Sequence, residues 1–184
     1  DPRSQCGNCH YAHQGRANNY LRGNVSETCL TCHDLPIESG GRQLENVARR
    51  LREVPHIHQA VEEGCPVCHT PHGSPQPSLL RKGYPAGHYE QYRSEHYALC
   101  WKCHNSNLVE SQPGAAHTDF RDGAENLHRL HVVELKRGRA CHLCHQAHAS
   151  QEAHLMRRQL RFQQWLAPLV WEPRPDGGSC QSPC

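Results

Sequence analysis

The chain has 184 residues, of which 36% are hydrophobic, and its mean hydropathy is −0.83. Globular proteins usually carry about 45–50% apolar residues, so side chains alone supply too little apolar surface for a conventional core. A formal net charge of +2 argues against nucleic-acid binding, and the lack of any run of 18 apolar residues argues against a membrane-spanning helix.

Cysteine and histidine are the residues in excess, with 12 and 17 copies. Ten of the cysteines form five Cys-x-x-Cys pairs, and a histidine directly follows each pair. In chain order the runs are CGNCH from residue 6, CLTCH from 29, CPVCH from 65, CWKCH from 100 and CHLCH from 141. The paired cysteines are Cys6 and Cys9, Cys29 and Cys32, Cys65 and Cys68, Cys100 and Cys103, and Cys141 and Cys144.

This spacing is the attachment pattern of c-type haem. Two thiols add to the two vinyl groups of the porphyrin, and the adjacent histidine is held under the iron as its proximal ligand. We therefore predict five covalent haem c groups with the proximal ligands His10, His33, His69, His104 and His145. Zinc also uses Cys-x-x-Cys pairs, but a zinc site needs no histidine directly after each pair, and a disulfide framework gives no reason for those histidines.

Three of the five runs carry a second histidine three residues after the first. These double sites alternate with single sites, and their extra histidines are His13, His72 and His148. His72 is not expected to reach its own iron, because His69 commits that backbone to the proximal side of the ring. We expect it to bind the iron of a neighbouring haem.

Histidine is the general candidate for the sixth iron ligand, since Met156 is the only methionine. Bis-histidine haems, which lack Met/His ligation, are expected to have low reduction potentials. Upstream of two double sites, HIHQAVEEGC and LHRLHVVELKRGRAC each add further histidines. We predict His58 and His131 there as distal ligands, with His56 and His128 as the alternatives. With His13, His72 and His148 they make five distal candidates for five haems.

The alternation defines repeat units of about 1–40, 54–110 and 127–184 within a single multihaem domain that spans residues 1–184. In the place of a third single site stands CQSPC, with Cys180 and Cys184. Two interpretations remain open for this pair. It forms a terminal disulfide or thiol pair, or it belongs to a sixth haem site whose histidine lies beyond residue 184.

The chain resembles the doubled-CxxCH multihaem c-type cytochromes of metal-respiring bacteria. The resemblance is carried by CPVCHTPHGS, by the Leu-Leu-Arg step at residues 79–81 and by the YALCWKCH approach to the fourth site, and it extends to residues 120–150 and 177–184. It implies a closely spaced haem chain with histidines of the His58, His72 and His131 kind as distal ligands. It also implies electron transport across the periplasm, through outer-membrane conduits or along extracellular filaments.

Secondary structure is expected to be sparse. An amphipathic helix is predicted over residues 43–54 and a second helix over 151–166, ended by Pro168. The fold class is therefore mostly irregular with a few short α-helices and little or no sheet, organised around a closely packed haem chain.

We expect an electron carrier rather than an enzyme, because each attachment run ends in histidine and the distal candidates match the haems in number. A multihaem reductase, which needs one open iron position, is the alternative. The expected partners are other multihaem cytochromes, or further copies of this chain in a head-to-tail filament, and neither nucleic acid nor a membrane span is expected. Haem attachment to this motif takes place outside the cytoplasmic membrane, so we expect a periplasmic, extracellular or cell-surface protein whose signal peptide has been removed before Asp1.

Overall fold

The computed structural model describes residues 6–11, 13, 18–112, 118–134, 136–162 and 165–181. The chain divides into two compact units. The first unit comprises Asp1–Val67 and His148–Ser150, and the second comprises Cys68–Ala147 and Gln151–Cys184. The single multihaem domain over residues 1–184 stays a prediction.

Helices are short throughout the described chain. The α-helices are α1 (Val25–His33), α2 (Val47–Glu53), α3 (Gln59–Glu62), α4 (Asn107–Glu110), α5 (Leu127–Arg129) and α6 (Cys141–Cys144). Turns of 3₁₀ helix lie at Cys6–Asn8, Asn18–Tyr20, Cys65–Val67, Pro77–Leu79, Ser94–Tyr97, Cys100–Lys102 and Ala153–Leu155, and a π-helical turn lies at Leu130–Glu134.

Strands are also short, and they pair in small antiparallel groups. They are β1 (Glu38–Ser39), β2 (Arg42–Gln43), β3 (His56–Ile57), β4 (Tyr89–Glu90), β5 (Arg121–Asp122), β6 (Glu125–Asn126), β7 (Gly138–Arg139), β8 (Ala149–Ser150), β9 (Gln159–Phe162), β10 (Trp165–Pro168), β11 (Val170–Arg174) and β12 (Gly177–Gln181). The pairs are β1–β2, β3–β8, β4–β7 and β9–β10, and a four-stranded sheet has the order β11-β12-β5-β6. The expectation of little or no sheet was therefore wrong, although the irregular character and the short helices are as predicted.

The predicted helix over residues 43–54 is present in a shortened form as α2. Asn46 caps its first turn by accepting a hydrogen bond from the Arg49 backbone N–H at 2.8 Å. Ala48 is buried, whereas Leu44, which the predicted helix included on its apolar face with Val47, Leu51 and Val54, lies before α2 and is exposed.

The predicted helix over residues 151–166 was wrong. A 3₁₀ turn and the hairpin β9–β10 occupy the described part of this segment, and residues 163–164 lie outside the described residues. Leu160 pairs with Ala167 across the hairpin, and both are buried. Because Leu160 packs with Leu143 and Leu169, burial against distant residues outweighs the local helical pattern.

The four-stranded sheet joins segments that are far apart in sequence. Gly177 of β12 pairs with Asp122 of β5, and its φ of +142° is one that L side chains rarely adopt. A Cβ atom at this position would lie 2.0 Å from the Arg121 carbonyl oxygen, so only glycine allows this approach. Beside the sheet, the Phe120 ring packs edge-on against Trp171 with ring centroids 5.0 Å apart.

The apolar core of the described chain is small. In the second unit one buried cluster consists of Tyr97, Val109 and Val132, and another consists of Leu143, Leu160 and Leu169. In the first unit the buried hydrophobic residues among those described are Ala48 and Ala149. Two alanine side chains cannot stabilise a unit of this size, so another apolar body must complete its interior. None of the described helices has the length and apolar character needed to cross a bilayer.

We predict that the chain without haem does not fold cooperatively. Porphyrin faces would supply the apolar surface that the side chains lack, so their loss removes most of the driving force for folding. Circular dichroism and thermal melting of chain made without haem attachment check this, with the haem-loaded protein as the control. A sharp thermal transition in the haem-free chain would contradict it.

Candidate haem attachment sites

Each Cys-x-x-Cys-His run of the double sites begins on a single helical turn. The turns are Cys6–Asn8, Cys65–Val67 and α6. At the first and fifth sites the proximal histidine backbone N–H donates to the carbonyl of the first cysteine, at 2.9 Å from His10 to Cys6 and at 2.9 Å from His145 to Cys141. A tight turn of this kind gathers two thiols and one imidazole in five residues, as attachment along one porphyrin edge requires.

A hydrogen bond then fixes each proximal imidazole of the double sites. Nδ1 lies 2.8 Å from the Asn19 carbonyl oxygen in His10, 2.9 Å from that of Ser78 in His69, and 2.8 Å from that of His154 in His145. A carbonyl only accepts, so Nδ1 carries the proton and Nε2 keeps its lone pair. An outer hydrogen bond of this kind sets the tautomer and ring orientation of metal-binding histidines.

The chain returns after this bond along a path that the three double sites share. Isolated antiparallel bridges join His10 to Leu21, His69 to Leu80 and His145 to Met156. The next residue is an arginine, whose backbone N–H donates to the carbonyl of the second cysteine, from Arg22 to Cys9 (2.9 Å), Arg81 to Cys68 (2.9 Å) and Arg157 to Cys144 (2.8 Å). We call this arrangement, the Nδ1 bond together with the arginine bond, the histidine clasp.

The histidine clasp contains strained backbone. In the described part of the chain, the non-glycine residues with positive φ are the pairs Asn19 and Tyr20, Ser78 and Leu79, and His154 and Leu155. Such conformations are costly for residues with a Cβ, and they persist where surrounding contacts impose them. Each pair holds the carbonyl that accepts the Nδ1 bond, so the strain serves to aim that carbonyl at the proximal ring.

The two single sites are positioned differently. Cys29, Cys32 and His33 lie on α1, whose first turn carries a capping box between Asn24 and Glu27. At the fourth site a 3₁₀ turn covers Cys100–Lys102, and the His104 backbone N–H donates to the Cys100 carbonyl at 2.9 Å.

Neighbouring attachment sites touch through their first cysteines. In the first unit the Cys29 thiol hydrogen-bonds with Cys65, and this bond together with burial raises the pKa of Cys29. In the second unit Cys141 hydrogen-bonds with Cys100, which with burial raises the pKa of Cys141.

No disulfide joins any of the ten paired cysteines, all of which are described. Among the described residues, no group of three or more cysteine, histidine or acidic side chains is placed around a common metal position.

The predicted distal histidines fall into both units. In the first, His13 is exposed, and His58 and His148 are half-buried. Pairing of β3 with β8 brings these two together, with the His58 backbone N–H donating to the His148 carbonyl at 3.0 Å. In the second, His72 is exposed and His131 is half-buried in the π-helical turn. None of these contacts joins a distal histidine to an iron position, so their ligand roles stay predictions.

Cys180 lies on β12 and is exposed. Cys184 lies outside the described residues, so both interpretations of this pair stay open.

Glu45 is a residue that the sequence reasoning missed. Its Oε2 lies 3.5 Å from Nδ1 of His148, and it also forms an ion pair with Arg50. Burial works against its ionisation, but the His148 contact and the Arg50 charge outweigh burial, so the pKa of Glu45 lies below its ordinary value. A carboxylate behind a ligating histidine raises the basicity of the ligand. Only the fold brings residues 45 and 148 together, so no local signal marks this contact.

The histidine clasp was missed as well, although the sequence carries a signal for it. Tyr-Leu-Arg, Leu-Leu-Arg and Leu-Met-Arg occupy matching positions after the three double sites, at residues 20–22, 79–81 and 155–157.

We predict that Glu45→Gln raises the reduction potential of one haem, the one whose iron His148 binds. Loss of the carboxylate makes the imidazole less basic and so favours the ferrous state. A shift of about 60 mV corresponds to a tenfold change for one electron. Spectroscopic redox titration checks this, and Glu53→Gln, which removes an exposed carboxylate paired with Arg49, is the matched control. Equal shifts in both variants would show that the potential responds to the loss of any carboxylate charge, and not to the contact between Glu45 and His148.

The residues present fit covalent haem. The tight turns present paired thiols beside an imidazole, and in three of the five sites the histidine clasp holds the proton of that imidazole on Nδ1, the tautomer in which Nε2 would bind iron. Comparison with known proteins agrees with this chemistry. The family model described as the doubled CXXCH motif matches residues 2–36 and 58–108, and no curated protein matches the chain. In these two segments the chain carries the doubled CXXCH motif of multihaem c-type cytochromes, and its CXXCH runs imply covalently bound haem c.

Proposed function

We propose that this cytochrome carries electrons along a chain of five bis-histidine haems, or six if Cys180 and Cys184 bind another. The observation that carries this proposal is the contact between consecutive attachment sites, Cys29 with Cys65 and Cys100 with Cys141. Each of these cysteines is bonded to the edge of its own porphyrin once haem is attached. Because electron tunnelling weakens steeply with the separation of porphyrin edges, touching attachment points favour rapid exchange.

The chemistry is a series of one-electron exchanges. When bound, haem supplies the couple between ferrous and ferric iron, so each site is reduced as its neighbour is oxidised. The protein contributes the spacing, through the contacts between sites, and the stability of the ferric state, through histidine ligands. This electron transfer does not require the side chains to transfer protons or to make or break bonds.

A multihaem reductase is the alternative from another class. It needs one iron with an open position, surrounded by acid, base or cationic groups. Each of the five attachment runs ends in histidine, and the histidines outside these runs outnumber the haems. This surplus favours six-coordinate irons and hence the carrier.

The proposed partners are other multihaem cytochromes in the periplasm or at the cell surface. Support comes from the chemistry of the carrier itself, because electrons enter and leave a chain of haems through other redox centres.

A further proposal is that copies of the chain polymerise head to tail. His13 at the first site is exposed, as is His72 at the third. An exposed imidazole that binds iron in a second copy would join subunits and continue the haem chain between them.

For the carrier we predict that each haem in the oxidised protein is low-spin. Two imidazoles impose a strong ligand field on each iron, whereas an open position leaves that iron high-spin. Electronic absorption and electron paramagnetic resonance check this. A high-spin signal equal to one haem per chain would favour the reductase instead.

The mass of the same sample gives the number of haems per chain. The number of low-spin haems is compared with it. Five haem increments with Cys180 joined to Cys184 exclude a sixth site, and six increments establish one.

For polymerisation we predict filaments in electron micrographs of the purified, haem-loaded protein, with a mass that grows with concentration. Light scattering over a concentration series checks the growth. The double variant His13→Ala/His72→Ala should remain monomeric, and Gln91→Ala, which changes an exposed polar side chain outside the attachment runs, is the control. Monomers alone at high concentration would exclude the filament and leave the carrier intact.

A further inference from the structure

Two imidazole rings in the second unit lie close together with nearly parallel planes. The His128 and His145 ring centroids lie 6.4 Å apart, and the ring planes differ by only 17°. His145 is the proximal histidine of the fifth attachment run. His128 lies on α5, and the sequence patterns ranked it behind His131 as a distal ligand.

The spacing matches that of two imidazoles bound to one metal ion. A metal–imidazole bond is about 2.0–2.1 Å long, and adding the half-width of each ring places the centroids about 6 Å apart. A simple offset aromatic contact also spans about 4.5–7 Å, so distance alone does not decide between the two arrangements. The hydrogen bonds that the two rings make help to distinguish a pair of metal ligands from a simple aromatic contact.

Both rings place Nδ1 within hydrogen-bonding distance of an oxygen atom. His145 Nδ1 donates to the His154 carbonyl at 2.8 Å. His128 Nδ1 lies 3.1 Å from Thr118 Oγ1, and that hydroxyl oxygen accepts from the Phe120 backbone N–H at 3.3 Å. A His128 ring that donates through Nδ1 presents Nε2 to a metal. This is the outer bonding that orients ligating histidines at metal centres.

The position of His128 is also fixed by the residues around α5. Asn126 caps α5, and its buried side chain accepts from the Arg129 backbone N–H at 3.1 Å. The same side chain donates to the Leu108 carbonyl at 2.9 Å and to Ser111 Oγ at 3.1 Å. The Phe120 ring meets the His128 ring edge-on at 4.9 Å.

His131 has a different setting. Its Nδ1 bonds to the Leu127 carbonyl at 2.7 Å, one turn earlier in its own helical segment, and its ring is tilted against Phe120 at 5.4 Å. Its backbone belongs to the π-helical turn rather than to α5.

We propose that His128 is the distal ligand of the haem attached through Cys141 and Cys144, opposite His145. His131 is then left for a different iron. This inference rests on haem at the fifth site, but on no part of the electron-carrier role.

The test replaces His128 by methionine in the haem-loaded full chain, with His131→Met as the matched control. Met/His ligation raises the potential, so His128→Met should move one haem to higher potential in a redox titration. To identify that haem, both changes are repeated in a Cys141→Ala/Cys144→Ala background, whose mass is lower by one haem. There His128→Met should have no effect, while any effect of His131→Met should persist.

Two results would overturn the inference. In one, His128→Met leaves the titration unchanged. In the other, its effect survives loss of the fifth haem. If the variants do not accumulate, an experimental structure of the unaltered holoprotein decides, since His128 Nε2 must lie within bonding distance of the fifth iron. Any other sixth ligand there contradicts the assignment. Absence of the fifth haem from the whole-protein mass would instead remove the site on which both proposals depend.

Discussion

The hydrogen bond between a proximal imidazole and a main-chain carbonyl nine residues later is the constraint on which this molecule depends. It occurs at three sites, between His10 and Asn19, between His69 and Ser78, and between His145 and His154. The bond holds the ring proton on Nδ1, so that Nε2 would be the nitrogen that binds iron, and it closes a loop that few side chains stabilise otherwise. Since the described first unit buries only two alanines among its hydrophobic residues, its rigidity has to come from such local polar bonds and from haem.

Covalent haem attachment could be predicted from sequence, because its chemistry depends on spacing within five residues. The helix α2 was predicted for a similar reason, as its apolar periodicity and its Asn46 cap are local. The segment 151–166 was misassigned because Leu160 is drawn into a hairpin by Leu143 and Leu169, which no local pattern reveals. Glu45 behind His148 escaped notice for the same reason, as residues 103 positions apart meet only in the folded chain.

Contacts between attachment sites follow the alternation of single and double sites in two places. The first cysteine of a single site meets the first cysteine of the double site that follows it, at Cys29 and Cys65 in one unit and at Cys100 and Cys141 in the other. A single site thus pairs in space with the next double site, whereas the sequence repeat groups it with the preceding one. The alternation of single and double sites therefore corresponds to which neighbouring sites are in contact in the folded chain. The residues between the attachment runs position these contacts.

The histidine clasp has a consequence for how the protein is made. All of its bonds lie within the 17 residues from the first cysteine to the arginine, as from Cys6 to Arg22. Loops this short close quickly and need no contact with later parts of the chain. A nascent polypeptide emerging from a translocation channel can thus form each clasp as soon as its own arginine has cleared the exit. Haem attachment can then proceed in order from the N-terminus, because one site is folded before the next has been exported.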